Sequence, residues 1–565
     1  MKNLSQCTFA LDHMNTHKNK CKKIKLVIYT HTISEKGILI GTAVLDFNMI
    51  YQQNESYKSL HEAFVSNNTG THPIELAVAV SPYPLASVCF QLLYIFDFMC
   101  NKSDIFMFFL EFICVMILQI FIFTFGADNC YKYYYALILF TIFMVALKII
   151  TGKMNGSKPW PSSILDDVWI MDPDNPVITA VANVRTHLCI CVCICILAVD
   201  FSIFPRRFAK TEKYGYGLMD TGIGFFMLIN GLVAPETKPK YQFSRGNTKA
   251  LMKSLVSSVL LFLIGFMRII FVKTLNYQEH VTEYGIGCSL VFLLFPPIYS
   301  GIIAIVMSVF YQVLLQLGLE DIIFNGFDGK DTRINIFDAN REGLASCVSF
   351  TCLYLVGIQV GYIVFRMGVT LREWLRTILI LFCLFLAITL TACLSHFYIS
   401  PSSRRVVNVT YISWMSAFFV YLVVQWLAID VVLVLLKYHS SREDAKQVTL
   451  KPSIINNVLS YNFLLAFLVA NLLTGLVNLS VSTIYASDRD SFMILMFYML
   501  AICLIAQRNC RDRQVNRPPK RADRQRNGQV SGFTDVPLSV CVYTKIADEI
   551  VGGFENDLAL NDQCN

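Results

Sequence analysis

The chain is 565 residues long, 55% hydrophobic and only 15% charged, with a formal net charge of +7 and a mean hydropathy of +0.52. Soluble domains carry about a quarter charged residues, so this composition excludes a soluble globular protein. The 43 Phe and 26 Tyr, set against 28 Gly and 17 Pro, exclude collagen-like and disordered classes.

Residues 1–56 begin polar, with Lys18, Lys20, Lys22 and Lys23 and no clean apolar region behind them, so no signal peptide is read there. Between 24 and 50 the apolar stretches are broken by His31, Glu35, Lys36 and Asp46. A charge at the bilayer centre costs about 2.5–3.5 kcal/mol on the insertion scale. Residues 1–56 are therefore expected to be an extra, poorly ordered segment that does not span. From there on, apolar runs of bilayer length follow near 74–96, 105–125, 133–150, 186–204, 216–234, 251–272, 287–310, 344–366, 376–398, 411–436, 455–480 and 491–507. Lipid cannot satisfy open backbone groups, so each run has to be a helix. The expectation is an all-α, polytopic transmembrane bundle of about 12–13 spanning helices over residues 57–507.

The four thiols Cys189, Cys191, Cys193 and Cys195 sit inside one such run. At helical pitch, neighbours two apart point to opposite sides, so they read as small apolar packing and no metal site is expected. The tail, 508–565, opens with Arg508, Arg511, Arg513, Arg517, Lys520, Arg521, Arg524 and Arg526. This is a basic flank suited to the cytosolic side of a membrane, not to nucleic acid. Alternation from that tail puts loops 437–451, 366–376 and 205–215 on its side and leaves the basic loop 235–250 on the other. One further crossing would reverse everything before it.

The most informative stretch runs from Val199 to Gly222. Asp200 closes an apolar run, where partial desolvation disfavours its charge. Pro205 stops the helix from continuing, and Arg206, Arg207 and Lys210 follow within a turn or two. Asp220 opens the next apolar run. Two readings are open: ordinary topology charges with Asp200 capping or pairing with them, or a membrane-boundary site where an acid meets several cations. Asn471, Thr474 and Asn478 share one helical face. They line a cavity or make interhelical hydrogen bonds. Asn230 is another polar residue in an apolar run. Arg404 and Arg405 are phosphate ligands or plain flanking charge.

Asp200 to Lys210 (DFSIFPRRFAK), followed by Tyr214-Gly215 and Gly217-Leu218-Met219-Asp220-Thr221-Gly222, resembles the signature of the GPI-anchor inositol acyltransferase family of PIG-W type. The likeness continues in order through Tyr57–Asn67, Glu279–Gly285, Ala339–Gly343, Ser403-Arg404-Arg405 with Asn408, Tyr411 and Trp414, and Ala470–Ser480, so it spans about residues 57 to 507. It departs after Gly285, where the family pattern leads one to expect His-Trp-Asn-Phe-Phe and Gly287–Val291 stands instead. It departs again after Asn408, where Val409-Thr410 replaces Leu-Pro.

The resemblance implies transfer of a palmitoyl group from acyl-CoA to the inositol 2-hydroxyl of glucosaminyl-phosphatidylinositol, in the endoplasmic reticulum membrane. It implies Asp200 and Lys210 as the catalytic pair. Asp200 would take the hydroxyl proton, while Lys210 would stabilise the tetrahedral oxyanion or hold Asp200. Arg206 and Arg207 are expected on the phosphates of CoA or of the phospholipid. Asp220, Asn230, Arg341, Arg404, Arg405, Asn471 and Asn478 are further candidates for substrate binding. No bound cofactor and no obligate protein partner are expected; acyl-CoA is a co-substrate, and the partners are the two substrates and membrane lipid. The competing readings are a multi-pass lipid or solute transporter, for which paired interrupted helices are lacking in the sequence, and a non-catalytic membrane scaffold.

Overall fold

A computed structural model of the chain describes residues 6–13, 24–34, 37–46, 68–95, 103–154, 176–239, 296–326, 341–368, 370–440 and 453–515. It divides into two units, Met1–Asn68 and Thr69–Asn565. In the first unit, β1 (Gln6–His13), β2 (Ile24–Ser34) and β3 (Gly37–Asp46) form an antiparallel sheet in the order β1-β2-β3. The register runs from Lys25↔Asp46 to Ser34↔Gly37 between β2 and β3. Strands thus occupy part of the segment expected to be poorly ordered. Its runs are rich in Ile, Val, Thr and Leu, which suit a pleated surface.

The second unit is helical. Its elements are α1 (Pro73–Val80), α2 (Pro82–Ile95), α3 (Asp104–Phe123), α4 (Cys130–Met154), α5 (Pro176–Ala198), α6 (Thr221–Leu232), α7 (Pro297–Asn325), α8 (Arg341–Phe365), α9 (Leu371–Tyr398), α10 (Val409–Ser440), α11 (Ile454–Tyr461), α12 (Phe463–Ser480) and α13 (Asp488–Val515). Among the described residues, nine helices are long and apolar enough to cross a membrane. The number is ten if α11 and α12, bent by 90° at their junction, count as one. The run at 216–234, expected as a full span, holds only the 12-residue α6. The run at 251–272 lies outside the described residues.

The bend between α11 and α12 is built on Asn462. Its Nδ2 donates to the carbonyls of Val458 and Ala506, and its Oδ1 accepts from Asn509 Nδ2. A break in the helical ladder inside a membrane needs such substitute partners.

Contacts between helix ends fix how the bundle alternates. Glu75, Asp128 and Arg207 meet at one end, as do Gly215 with Ser402 and Asp200 with Asn478. At the other end of α8, Thr237 lies against Gly361, Lys238 stacks over the Phe365 ring, and Ser300 and Gly301 bond to Gln359. Residues 237–238 and 300–301 are therefore at the same end. This corrects the sequence-based orientation, which separated 235–250 from the loops at 366–376 and 437–451. It is the loop 205–215 that lies at the opposite end from those two.

Candidate functional site

The site grows from the C-terminus of α5. The backbone N–H groups of Val199, Asp200 and Phe201 close the last turn on Cys195 O, Leu197 O and Ala198 O, and Arg206 holds the turn that follows: its guanidinium donates to Val199 O at 2.8 Å and Phe201 O at 3.4 Å. A cation at this position also meets the negative end of the helix dipole. Phe201, Phe204 and Phe208 are all fully buried. Phe204 packs edge-on against Phe208, and Phe208 against Phe123 of α3. The signature thus reads as three aromatic anchors that hold the loop down while Asp200 stays half-buried and Ser202 and Lys210 stay exposed.

Asp200 accepts a hydrogen bond from Asn478 Nδ2 at 2.8 Å. Asn478 ends the polar face of α12. One turn below it, Thr474 Oγ1 donates to the Tyr498 hydroxyl, which in turn lies within reach of the carbonyls of Cys193 and Ala470. The Asn471-Thr474-Asn478 stripe is thus interhelical at two of its positions. Asn471 bonds back to Phe467 O within its own helix.

Asp220 forms a separate knot. Its side chain is 1% exposed. It accepts from Thr211 N and Oγ1 and from Gly217 N. Arg404 Nε stands 2.8 Å from Oδ1, close enough for an ion pair though its N–H is not aligned for a hydrogen bond. Burial pushes the Asp220 carboxyl above the ordinary carboxylate range, and Arg404 and the loop donors work in the opposite direction. The Tyr411 hydroxyl donates to Asp220 O, tying α10 to the start of α6. A Cβ on Gly217 would come within 2.2 Å of Ala209 O and 2.7 Å of the Asp220 carboxylate. That contact gives the second glycine of the signature its physical reason.

A second knot closes the 401–408 loop. Asn408, 1% exposed, uses its whole amide: Nδ2 donates to Ser400 Oγ and Pro401 O, and Oδ1 accepts from Ser403 N and Tyr411 N. Beside it Val407 has φ 49°, a left-handed conformation that a β-branched residue adopts only when its surroundings impose it. At the departure from the family pattern, Thr410 donates its hydroxyl to Ser400 O and Val409 N donates to Gln312 Oε1.

The remaining expected ligands are engaged elsewhere. Arg207 bridges Glu75 at 2.9 Å and Asp128 at 2.8 Å. It also loses some solvent on partial burial, but these two carboxylates outweigh that and raise its pKa. Arg405 pairs with Glu342 and lies over the Phe324 ring. Arg341 donates to the carbonyls of Ile323 and Phe324 at the end of α7. Asn230 lies in the last turn of α6, about 15 Å along the helix from Asp220. The structure therefore gathers Asp200, Arg206 and Asn478 at one spot, and Asp220 with Arg404 at another. It does not bring Asn230, Arg341 or Asn471 to either. Sequence reasoning missed Tyr498 and Thr211. Nothing marks them in the sequence, because each acts on a partner in a different element or turn. Motifs at 57–67 and 279–285, and the departure at Gly287–Val291, lie outside the described residues.

Fold and site together define a multi-pass membrane protein with its polar machinery gathered at one end of an apolar bundle, where a carboxylate borders the bilayer-spanning core. Comparison with known proteins gives the particular family. The chain belongs to the GWT1 family, whose model matches residues 57–508. It is 28% identical over 497 residues to a Bos taurus protein named glucosaminyl-phosphatidylinositol-acyltransferase PIGW, covering 80% of this chain and 97% of the relative. It is 28% identical over 507 residues to the phosphatidylinositol-glycan biosynthesis class W protein of Dictyostelium discoideum, with the same coverage of 80% and 97%. It is 33% identical over 347 residues to GPI-anchored wall transfer protein 1 of Yarrowia lipolytica, covering 56% of this chain and 69% of the relative.

Proposed function

We propose that this protein transfers a fatty acyl group, palmitoyl in the first instance, from acyl-CoA to the inositol 2-hydroxyl of glucosaminyl-phosphatidylinositol in the endoplasmic reticulum membrane, a step of GPI-anchor biosynthesis. The observation that carries the reading is the half-buried Asp200, set at the end of a span inside the loop that bears the family signature. The inositol hydroxyl attacks the thioester carbonyl carbon while Asp200 takes its proton. Lys210, in the same loop, stabilises the negative charge that develops on the carbonyl oxygen. Collapse of the tetrahedral species breaks the C–S bond, and the thiolate of CoA leaves with the proton returned from Asp200. No acyl-enzyme is needed. Arg207 and Arg404, each engaged with a carboxylate, serve the scaffold. The test is supply of radiolabelled palmitoyl-CoA and glucosaminyl-phosphatidylinositol to the purified full chain. Appearance of the inositol-acylated lipid is expected; uptake of either lipid into vesicles without acylation would favour the transporter instead.

The reaction takes place at the end of the bundle opposite the basic tail. What supports this is the grouping of Arg366, Arg372, Lys437 and Arg508 at one end, the end that faces the cytosol under the positive-inside rule. Three arginines at the other end are matched by Glu75 and Asp128, by Asp220 and by Glu342. In sealed microsomes, S202C is expected to resist a membrane-impermeant maleimide until detergent is added, whereas R372C reacts at once. The reverse pattern would turn the protein over.

A further inference from the structure

We propose that Asn478 is a positioning residue for Asp200, its amide fixing the orientation of the carboxylate and favouring the ionised form that accepts a proton. The inference rests on Asp200 being the base and deepens that reading.

Two helices end beside this carboxylate: α5 at Ala198 and α12 at Ser480. Each ends there in the negative pole of its helix dipole. An acid placed there is biased toward keeping its proton, which would disable it as a base. Arg206 relieves part of that field by donating to Val199 O and Phe201 O. Asn478 Nδ2 acts on the carboxylate itself, at 2.8 Å from Oδ2. A carboxylate only accepts, so the amide nitrogen must be the atom turned toward it.

The placement of Asn478 is not incidental to a polar surface. Its neighbours Leu472, Leu476 and Leu479 are exposed and apolar, as a lipid-facing helix requires. α12 carries no ionisable residue. Tyr498 on α13 lies near enough to Asp200 to feel its charge, and Arg206 binds the carbonyls on either side of it. Tyr498 also fixes the spacing. With Thr474 and the Cys193 carbonyl it joins α12, α13 and α5 one turn beneath Asn478, on the same helix that delivers Asp200. The amide and the carboxylate therefore face each other from two elements bolted together just below.

The test is the pH profile of kcat/KM for the full-length protein in detergent, with palmitoyl-CoA and glucosaminyl-phosphatidylinositol. In N478A the acid limb is expected to move up by about one pH unit, because a hydrogen bond to a charged group is lost. N478Q should restore most of the wild-type limb, and N478D, with a second carboxylate beside Asp200, should move it further up than alanine does. KM for both substrates should change little. A fall in kcat in N478A with the acid limb unmoved overturns the proposal, as does a rise in KM alone, which would make Asn478 a substrate contact. D200N separates the two levels. If D200N acylates normally, the base assignment fails. If D200N is inactive and the N478A limb is unmoved, only the positioning role fails.

Discussion

Replacing Asp200 with asparagine is expected to lower inositol acylation by about 10²- to 10⁴-fold, the range that a general base contributes. The substitution keeps shape and volume. Its amide oxygen still accepts from Asn478 Nδ2, so the contact between α5 and α12 survives. The anchors Phe201, Phe204 and Phe208 are untouched, and Arg206 still caps the carbonyls on either side of position 200. The variant should therefore reach the membrane in normal amount and unfold at the wild-type temperature, which a fluorescence-detected melt in detergent would measure. Loss of acylated lipid at unchanged melting temperature assigns the loss to chemistry. Wild-type turnover by D200N would remove Asp200 from the reaction and leave the family assignment standing.

Legibility in the sequence follows the range of the interaction. Spans were readable because each is a local property: about 20 apolar residues in a row. The failures came where two distant segments share the task. Hydropathy over 216–234 runs straight through the turn that holds Gly217 and Asp220, so about a third of an expected span is loop and only α6 is helix. Likewise the run 455–480 is continuously apolar in outline and hides a 90° bend. The local signal is Asn462, whose partners Ala506 and Asn509 come from α13. The signature around Asp200 was legible as a motif, but the division of labour within it was not. Arg206 looks like a phosphate ligand until its donors are seen on Val199 O and Phe201 O. Asp220 and Arg404, both expected on substrate, prove to be each other's partners across 184 positions. A cation in a sequence is uncommitted; only the fold shows which carboxylate or carbonyl has claimed it.

That pairing sets the second large effect. Substituting Arg404 by methionine keeps a long apolar stem over the knot and removes the charge, leaving Asp220 buried with neutral donors alone. Breaking a buried pair from one side costs about 3–5 kcal/mol. The lower end is expected here, because the arginine side chain is 31% exposed and the carboxylate 1%. The cost should depend on pH with a definite sign. Burial already raises the Asp220 carboxyl above its unfolded value, and Arg404 opposes the rise. Between the unfolded and folded values the native state holds a proton that the unfolded state has released, so stability falls as pH rises through that window. Without Arg404 the folded value climbs further and the window extends upward. R404M should therefore lose most stability above it and regain part of that loss as the pH is lowered toward the ordinary carboxylate range. R404M/D220N, with no charge left to strand, should melt closer to wild type than R404M does at neutral pH. Melting curves of the three proteins across a pH series decide the matter: a constant gap between R404M and wild type at every pH would mean that the arginine contributes packing alone. The same loss should appear in acylation only in proportion to the fraction unfolded, because the knot supports the loop that presents Asp200 and takes no part in moving its proton.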